Sequence, residues 1–401
     1  MRIDLYDKKR LGIYVHVPFC ASKCAYCDFN SFVPDDGEIV TRYVDALCAQ
    51  MRDYRDSGKN YVADSVYIGG GTPTSIDPRE LKKIISSVRR NFDVSKKAEF
   101  TVEVNPGTAT YSTFRMLKRA GVTRISMGLQ SADNRELHLL SRCHTRQDFV
   151  ESFRAARQAG FDNINVDLMF GIPAQTPDSL MKSLNFVMRM EPEHISLYNL
   201  KIEPGTPFWE NRLNIAPILP DEDTEYEMYS RAVEAMAARG YMQYEISNFS
   251  RFGYRCIHNL KYWNCEEYLG FGVSAHSYFN SNRFAFTDNV DDYIEAVTDK
   301  SSSVPLTSES EILEARERMG EYIMLRFRLN DGVGSVDFAR RFGVSFESLY
   351  GGKILKYLKN GFMEKRSGSY ALTTKGMFVS NYILSDILEF EDLGSVSREL
   401  V

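Results

Sequence analysis

Three cysteines stand within eight residues in HVPFCASKCAYCDF, residues 16–29: Cys20, Cys24 and Cys27. At this spacing one loop can turn three sulfurs toward a common point, as soft metal ions and iron–sulfur clusters require. Three thiolates do not complete the shell of structural zinc or of a fully protein-ligated [4Fe–4S] cluster. Three readings are open: a cluster with one iron left for a substrate or cofactor, a zinc site completed by His16 or a distant ligand, or thiols without metal. Further along stand Gly69–Gly70–Gly71–Thr72–Pro73, where glycines let backbone approach a ligand and Thr72 offers a hydroxyl. Glu103, Gln130 and Asp167 are polar residues closing otherwise apolar runs, and Arg142 has a guanidinium able to grip a carboxylate.

Short β-branched runs must position these residues. Six read as strands, at 12–18, 64–70, 99–105, 123–130, 162–170 and 193–200. Helical segments fall between and after them, near 38–57, 78–91, 110–120, 146–159, 177–190 and 221–239. Six βα units in sequence predict a parallel α/β sheet, doubly wound or curled. The polar residues lie at the C-terminal ends of five successive strands. That spread predicts a partial (β/α)6 TIM-like barrel, because a doubly wound sheet concentrates its site at one switch point. The barrel is expected over 1–240 and an extension of strands over 241–300, with a hairpin turn at Ser281–Asn282. A C-terminal helical, winged-helix-like domain is expected over 301–401. Over that last range 13 Lys and Arg face 14 Asp and Glu, so the module is read as a packing or lid domain and not a DNA reader. The stretch 298–310 and the polar C-terminal tail are low in complexity and carry no chemistry.

CxxxCxxC after the first strand of a βα array resembles the radical S-adenosylmethionine (SAM) superfamily. YVHVPFCxxxCxYC, followed by GGGTP, VEVNPG, SMGLQS, RCHT and VDLMFGIP, resembles oxygen-independent coproporphyrinogen III oxidase and its relatives. The resemblance runs from about residue 11 into the C-terminal domain. It implies a [4Fe–4S] cluster on Cys20, Cys24 and Cys27 whose open iron binds SAM. It further implies SAM contacts from Tyr14, Tyr26, Gly70, Gly71, Thr72, Glu103, Gln130, Arg142 and Asp167. His16 is expected to hydrogen-bond near the cluster or to be an ordinary strand histidine.

The oxidases of this family carry a fourth cysteine two residues after the third, and Phe29 occupies that position here. They also begin with a longer N-terminal segment. A second stretch, CIHNLKYWNCEEYLGFGVSAHSYF (256–279), contains HNxxYW. With CDF in place of CxC it resembles the HemW branch of heme chaperones. A histidine can ligate heme iron and aromatic rings can wall a macrocycle. Read alone, the same stretch describes a packed aromatic cluster around a hydrogen-bonded histidine. Candidate heme contacts are His258, Asn259, Tyr262, Trp263 and His276, with Cys256 and Cys265 as rivals. Cys48 and Cys143 are expected to pack as small apolar residues.

The expected function is thus heme binding and delivery, with heme as cargo and [4Fe–4S] and SAM as cofactors. The partners are heme or porphyrin, acceptor hemoproteins and an electron donor. The alternatives are coproporphyrinogen III oxidation or other radical chemistry on a tetrapyrrole, and a structural zinc protein. A net charge of −5 gives no footprint for nucleic acid. No apolar run is long enough to span a bilayer, which leaves only peripheral membrane contact open. The N-terminus lacks a signal-peptide core, so the expected location is the cytoplasm.

Overall fold

The computed structural model describes residues 8–388. Two compact units divide the chain. The first takes residues up to Met242, Ser247–Tyr262 and Glu266–Leu313, and the second takes Gln243–Ile246, Trp263–Cys265 and the chain from Glu314 onward.

The first unit is built on β1 (Lys9–Val17), β2 (Tyr61–Gly70), β3 (Val94–Val104), β4 (Arg124–Gln130), β5 (Ile164–Phe170) and β6 (His194–Asn199). These strands are parallel and lie side by side in chain order. Strand order equal to chain order, each crossover carrying a helix, is the arrangement of a barrel wall and not of a doubly wound sheet. After β7 (Met242–Gln243) and β8 (Asn248–Ser250) come β9 (Tyr268–Phe271), β10 (His276–Phe279), β11 (Asn282–Phe286) and β12 (Thr307–Ile312). The sheet order is β12-β11-β10-β9-β1-β2-β3-β4-β5-β6-β8-β7, with β9 parallel to β1 and β8 antiparallel to β6. β1 and β6 do not pair, so the six-stranded wall stays open.

Period-two alternation gives the wall two unlike faces. Ile13, Val15, Val66, Ile68, Phe100, Val102, Ile125, Val166 and Ile195 form an apolar face with no exposed surface. The other face is polar and staggered in register. Tyr14 lies beside Tyr67, Tyr67 beside Thr101 and Thr101 beside Arg124. One step higher, Glu103 lies beside Ser126, Ser126 beside Asn165 and Asn165 beside His194. Connecting helices begin where the sequence supplies caps: Asp36 before 37–53, Asp77 with Pro78 before 78–91, and Thr110, Thr145 and Thr176 in capping boxes.

Three expectations are corrected beyond residue 240. The β10–β11 turn is Asn280–Ser281 and not Ser281–Asn282. Both residues have positive φ (51° and 60°), the conformation of a two-residue primed turn that matches strand twist. The low-complexity stretch supplies β12, which pairs with β11, so the first unit ends at Leu313 and not at 300. The polar stretch before β9 contains a helix, Ile257–Trp263.

The second unit holds helices 315–326, 335–342, 346–359, 374–378 and 380–388 and a three-stranded antiparallel sheet. That sheet comprises β13 (Val333–Gly334), β14 (Met363–Arg366) and β15 (Ser369–Leu372), in the order β13-β15-β14. An aromatic core of Phe338, Phe346 and Tyr370 joins them, with ring centroids 5.2 and 5.4 Å apart. Helices with a small sheet match the expected module. The C-terminal tail lies outside the described residues.

Candidate functional site: a cysteine-lined cavity at the strand ends

A cavity of about 420 Å³ opens at the C-terminal ends of the parallel strands, within the range of ligand pockets. Cys20, Cys24 and Cys27 line it together with Gly70, Gly71, Thr72, Glu103, Gln130 and Asp167. Tyr26, Arg142, Asp28 and Phe29 line it too. Of the residues expected to contact SAM, only Tyr14 is not among the lining residues; it lies one layer deeper, its hydroxyl 3.0 Å from His16 Nδ1.

The glycine loop passes directly beneath the cysteine loop. Thr72 N–H donates to Phe19 O (2.7 Å) and Gly71 N–H to Val17 O (2.8 Å). A Cβ on Gly71 would stand 2.7 Å from Phe19 O and 3.0 Å from Cys20 Sγ. One on Gly70, whose φ is +110°, would stand 2.6 Å from the His16 ring. Only glycine permits this approach. His16 Nε2 hydrogen-bonds the Asn30 carbonyl at 2.8 Å, which closes the far end of the cysteine loop. Both His16 nitrogens are therefore used inside the protein, so this imidazole is not poised as a fourth zinc ligand.

An arc of hydrogen bonds joins two of the thiols. Arg142 Nη1 donates to Cys24 Sγ at 3.5 Å, and Nη2 donates to Asn105 Oδ1 and Gly128 O, each at 2.7 Å. Asn105 Nδ2 donates to Thr72 Oγ1 at 2.7 Å, and that hydroxyl lies 3.6 Å from Cys20 Sγ. Arg142, expected to clamp a carboxylate of a ligand, is instead committed on Nη2 to the strand ends. Asn105, a polar residue at the end of its strand in VEVNPG to which the sequence assigned no contact, is the link in this arc. Cys27 Sγ stands 3.9 Å from Ser31 Oγ, and burial holds its thiol above the usual pKa.

Glu103 accepts from Tyr67 O–H (2.8 Å) and Gly70 N–H (3.2 Å). Burial raises its carboxyl to about 7, with the Asp167 charge adding and the two hydrogen bonds opposing. Burial also raises Asp167, which accepts from Asn165 Nδ2 at 2.7 Å. Gln130 ends β4 with φ +69°, beyond an irregularity in the β4–β5 register, and this turns it into the cavity wall. Tyr67, Ser126 and Tyr198 also line the cavity and were not singled out from sequence, because they sit inside strand runs.

The HNxxYW segment lies elsewhere. His258 is 1% exposed, with Nδ1 3.0 Å from Ser65 Oγ and Nε2 2.8 Å from the Tyr262 hydroxyl. Burial lowers its pKa to about 3, with Lys261 and Arg124 contributing, so the ring is neutral. Glu99 accepts from the backbone N–H of Ile257 and of His258, each at 3.1 Å, and from Cys256 Sγ at 3.4 Å. As folded, His258 and Cys256 are buried and hydrogen-bonded among aromatic rings. Asn259, Tyr262 and Trp263 are half-buried, with Trp263 in the second unit. His276 on β10 is exposed. Cys143 corrects an expectation: it is exposed, with Sγ 2.8 Å from Ser22 Oγ on the cysteine loop. Among the described residues no helix is long and apolar enough to cross a membrane.

Three soft donors on one loop line a ligand-sized cavity above a floor that only glycine fits, while among the described residues no three His, Cys, Asp or Glu side chains are already gathered to hold a metal ion. The radical SAM superfamily model matches residues 14–187 and the HemN C-terminal domain model matches 313–379. The chain is similar to heme chaperone HemW of Bacillus subtilis (strain 168), 35% identical over 376 residues, covering 94% of this chain and 98% of the relative. It is similar to heme chaperone HemW of Escherichia coli (strain K12), 31% identical, covering 93% and 97%. Among solved structures, coproporphyrinogen III oxidase (HemN) from Escherichia coli superposes with a TM-score of 0.83 at 22% identity, covering 96% of this chain and 91% of that one. That likeness establishes the shared fold.

Proposed function

Because the chain belongs to the radical SAM superfamily and, within it, to the family of the heme chaperones HemW, we propose that it is a heme carrier of radical SAM type. Cys20, Cys24 and Cys27 hold a [4Fe–4S] cluster, the cavity beside them binds SAM, and heme is cargo for acceptor hemoproteins. Three thiols facing a glycine-cradled cavity at the strand ends carry this reading. A cluster with one iron free of protein ligands supplies one-electron reduction to a bound sulfonium.

The chain's residues divide the remaining work. Gly70 and Gly71 let the strand end pack against His16 and the cysteine loop, which fixes that loop at the cavity's edge. Glu103 and Asp167, held by Tyr67 and Asn165, present acceptors for hydroxyl or ammonium groups. Arg142, Asn105 and Thr72 set the spacing of two thiols. Phe29, 64% exposed where the oxidases of the family have a fourth cysteine, offers the cavity rim an aromatic surface and no metal donor. Among the candidate heme contacts His276 supplies the exposed imidazole.

Anaerobic reconstitution of the full chain tests the reading. One sample receives heme; another receives coproporphyrinogen III with SAM and a reductant. A Soret shift saturating at stoichiometric heme, with no decarboxylated product, is expected. Decarboxylated product would overturn the carrier reading in favour of the oxidase, and a colourless preparation binding zinc without iron or sulfide would overturn both.

A further inference from the structure

HNxxYW is the one conspicuous motif that the cavity does not absorb, and its contacts lead back to that cavity. The His258 ring stacks on the Tyr67 ring with centroids 5.4 Å apart and planes at 28°. The Tyr67 hydroxyl donates to Glu103 Oε1 at 2.8 Å, and Glu103 faces the cavity. Every polar atom of the His258 ring is fixed, by Ser65 on β2 and by Tyr262 one helical turn on. Its backbone is fixed by Glu99 on β3. Tyr262 is held in turn edge-on to Tyr268, centroids 4.6 Å apart. Tyr14, tilted at 6.4 Å from both the Tyr67 and His258 rings, completes the packing. Gly12 leaves the room: a Cβ there would lie 3.4 Å from His258 Cε1 and 2.8 Å from Lys261 Cδ.

We propose that His258 is a positioning residue for the cavity: locked by Ser65 and Tyr262, it supports the Tyr67 ring at the angle that places its hydroxyl on Glu103. HNxxYW then acts on the SAM site from the same polar face of the sheet, against Ser65 and Tyr67 on the side away from the strand ends, without touching the ligand. Tyr14, expected among the SAM contacts, takes part in the same brace. The inference rests on the reading that the cavity beside Glu103 binds SAM, but the brace can be measured without ligand.

Glu103 reports the brace, because a hydroxyl donating to a carboxylate favours the ionised form. The groups facing Glu103 are Tyr67 on β2, Tyr14 on β1, Arg124 on β4, Asp167 on β5, Tyr262 on the motif helix, and the Gly70 N–H. The experiment follows the protonated-carboxyl infrared band of the full chain between pH 5 and 9, assigning the Glu103 band by its loss in Glu103→Gln. Tyr67→Phe, His258→Ala, Tyr262→Phe and the double variant Tyr67→Phe/His258→Ala are compared. Tyr67→Phe is expected to raise the midpoint by roughly half a pH unit or more, a threefold change in protonation ratio. His258→Ala is expected to shift it the same way, and the double variant no further than Tyr67→Phe, because both changes act through one hydroxyl. Tyr262→Phe keeps the packing and removes one lock, so it keeps the test open if His258→Ala fails to fold; a smaller upward shift is expected. Additive shifts, or an unmoved midpoint in both His258→Ala and Tyr262→Phe, would overturn the brace. Equilibrium SAM binding on reconstituted protein forms a separate arm. Absence of binding in the unmodified chain defeats the SAM reading and leaves the carboxyl result standing. Loss of heme binding in His258→Ala with an unmoved Glu103 midpoint would return His258 to the heme site.

Discussion

The cysteine loop and the HNxxYW helix stand out equally in the sequence, yet the fold treats them in opposite ways. Cys20, Cys24 and Cys27 have side-chain partners at 3.5–3.9 Å, and all three face a cavity. His258 meets its side-chain partners at 2.8 and 3.0 Å and is closed off from solvent. The cysteine distances are ordinary for sulfur, whose hydrogen bonds are weak and leave the thiols available. Short contacts to every nitrogen of a buried imidazole leave it none to offer. A residue type suited to metal binding is thus a site only where the fold leaves its valence unspent.

Breaking the open half of this contrast gives the largest effect. Cys24→Ala removes one of three thiols, and we expect iron and sulfide after anaerobic reconstitution to fall to background. Four irons retained per chain would remove Cys24 from the ligand set. Gly71→Ala comes next, since its Cβ would press on Phe19 O and Cys20 Sγ. A loss of roughly 1–3 kcal/mol is expected in chemical denaturation, with slower cluster assembly. Unchanged assembly would show that the loop does not depend on its floor.

The closed half predicts the reverse pattern. Glu99→Gln weakens the carboxylate grip on the N–H groups of Ile257 and His258. It should cost roughly 1–3 kcal/mol of stability while leaving cluster content intact. Loss of the cluster in that variant would erase the distinction between the two regions. A further effect is the pH dependence carried by Glu103. Its folded carboxyl sits at about 7 against the ordinary 4.5, so the folded chain keeps a proton that the unfolded chain releases between those values. The stability tied to that proton is full below about pH 4.5 and is lost as pH rises through about 7. Glu103→Gln, neutral throughout, is expected to flatten that slope in denaturation curves taken from pH 5 to 8.

Much of the site is legible where its residues are contiguous. The cysteine triplet, the glycine run and VEVNPG each carry their chemistry within a few residues, and all lie at strand ends, where a parallel array places function. The polar face of the sheet is less legible. Ser65, Thr101, Arg124, Asn165 and His194 recur at every second position, but they sit in strands whose alternate residues are Val, Ile, Phe and Met. The two-sided burial of a parallel strand makes such runs read as continuous core.

The sequence by itself determined the strand–helix order, the thiol cluster and its glycine floor, because each depends on local spacing and backbone freedom. Tertiary structure alone decided which histidines were spent. His258 meets Ser65, 193 residues away, because β1 lies between β2 and β9 and the motif helix packs behind that junction. Arg142 meets Cys24 across 118 residues, because β4 ends beside the cysteine loop. Sheet register sets those encounters, and it is established by pairings between distant strands that no single segment encodes.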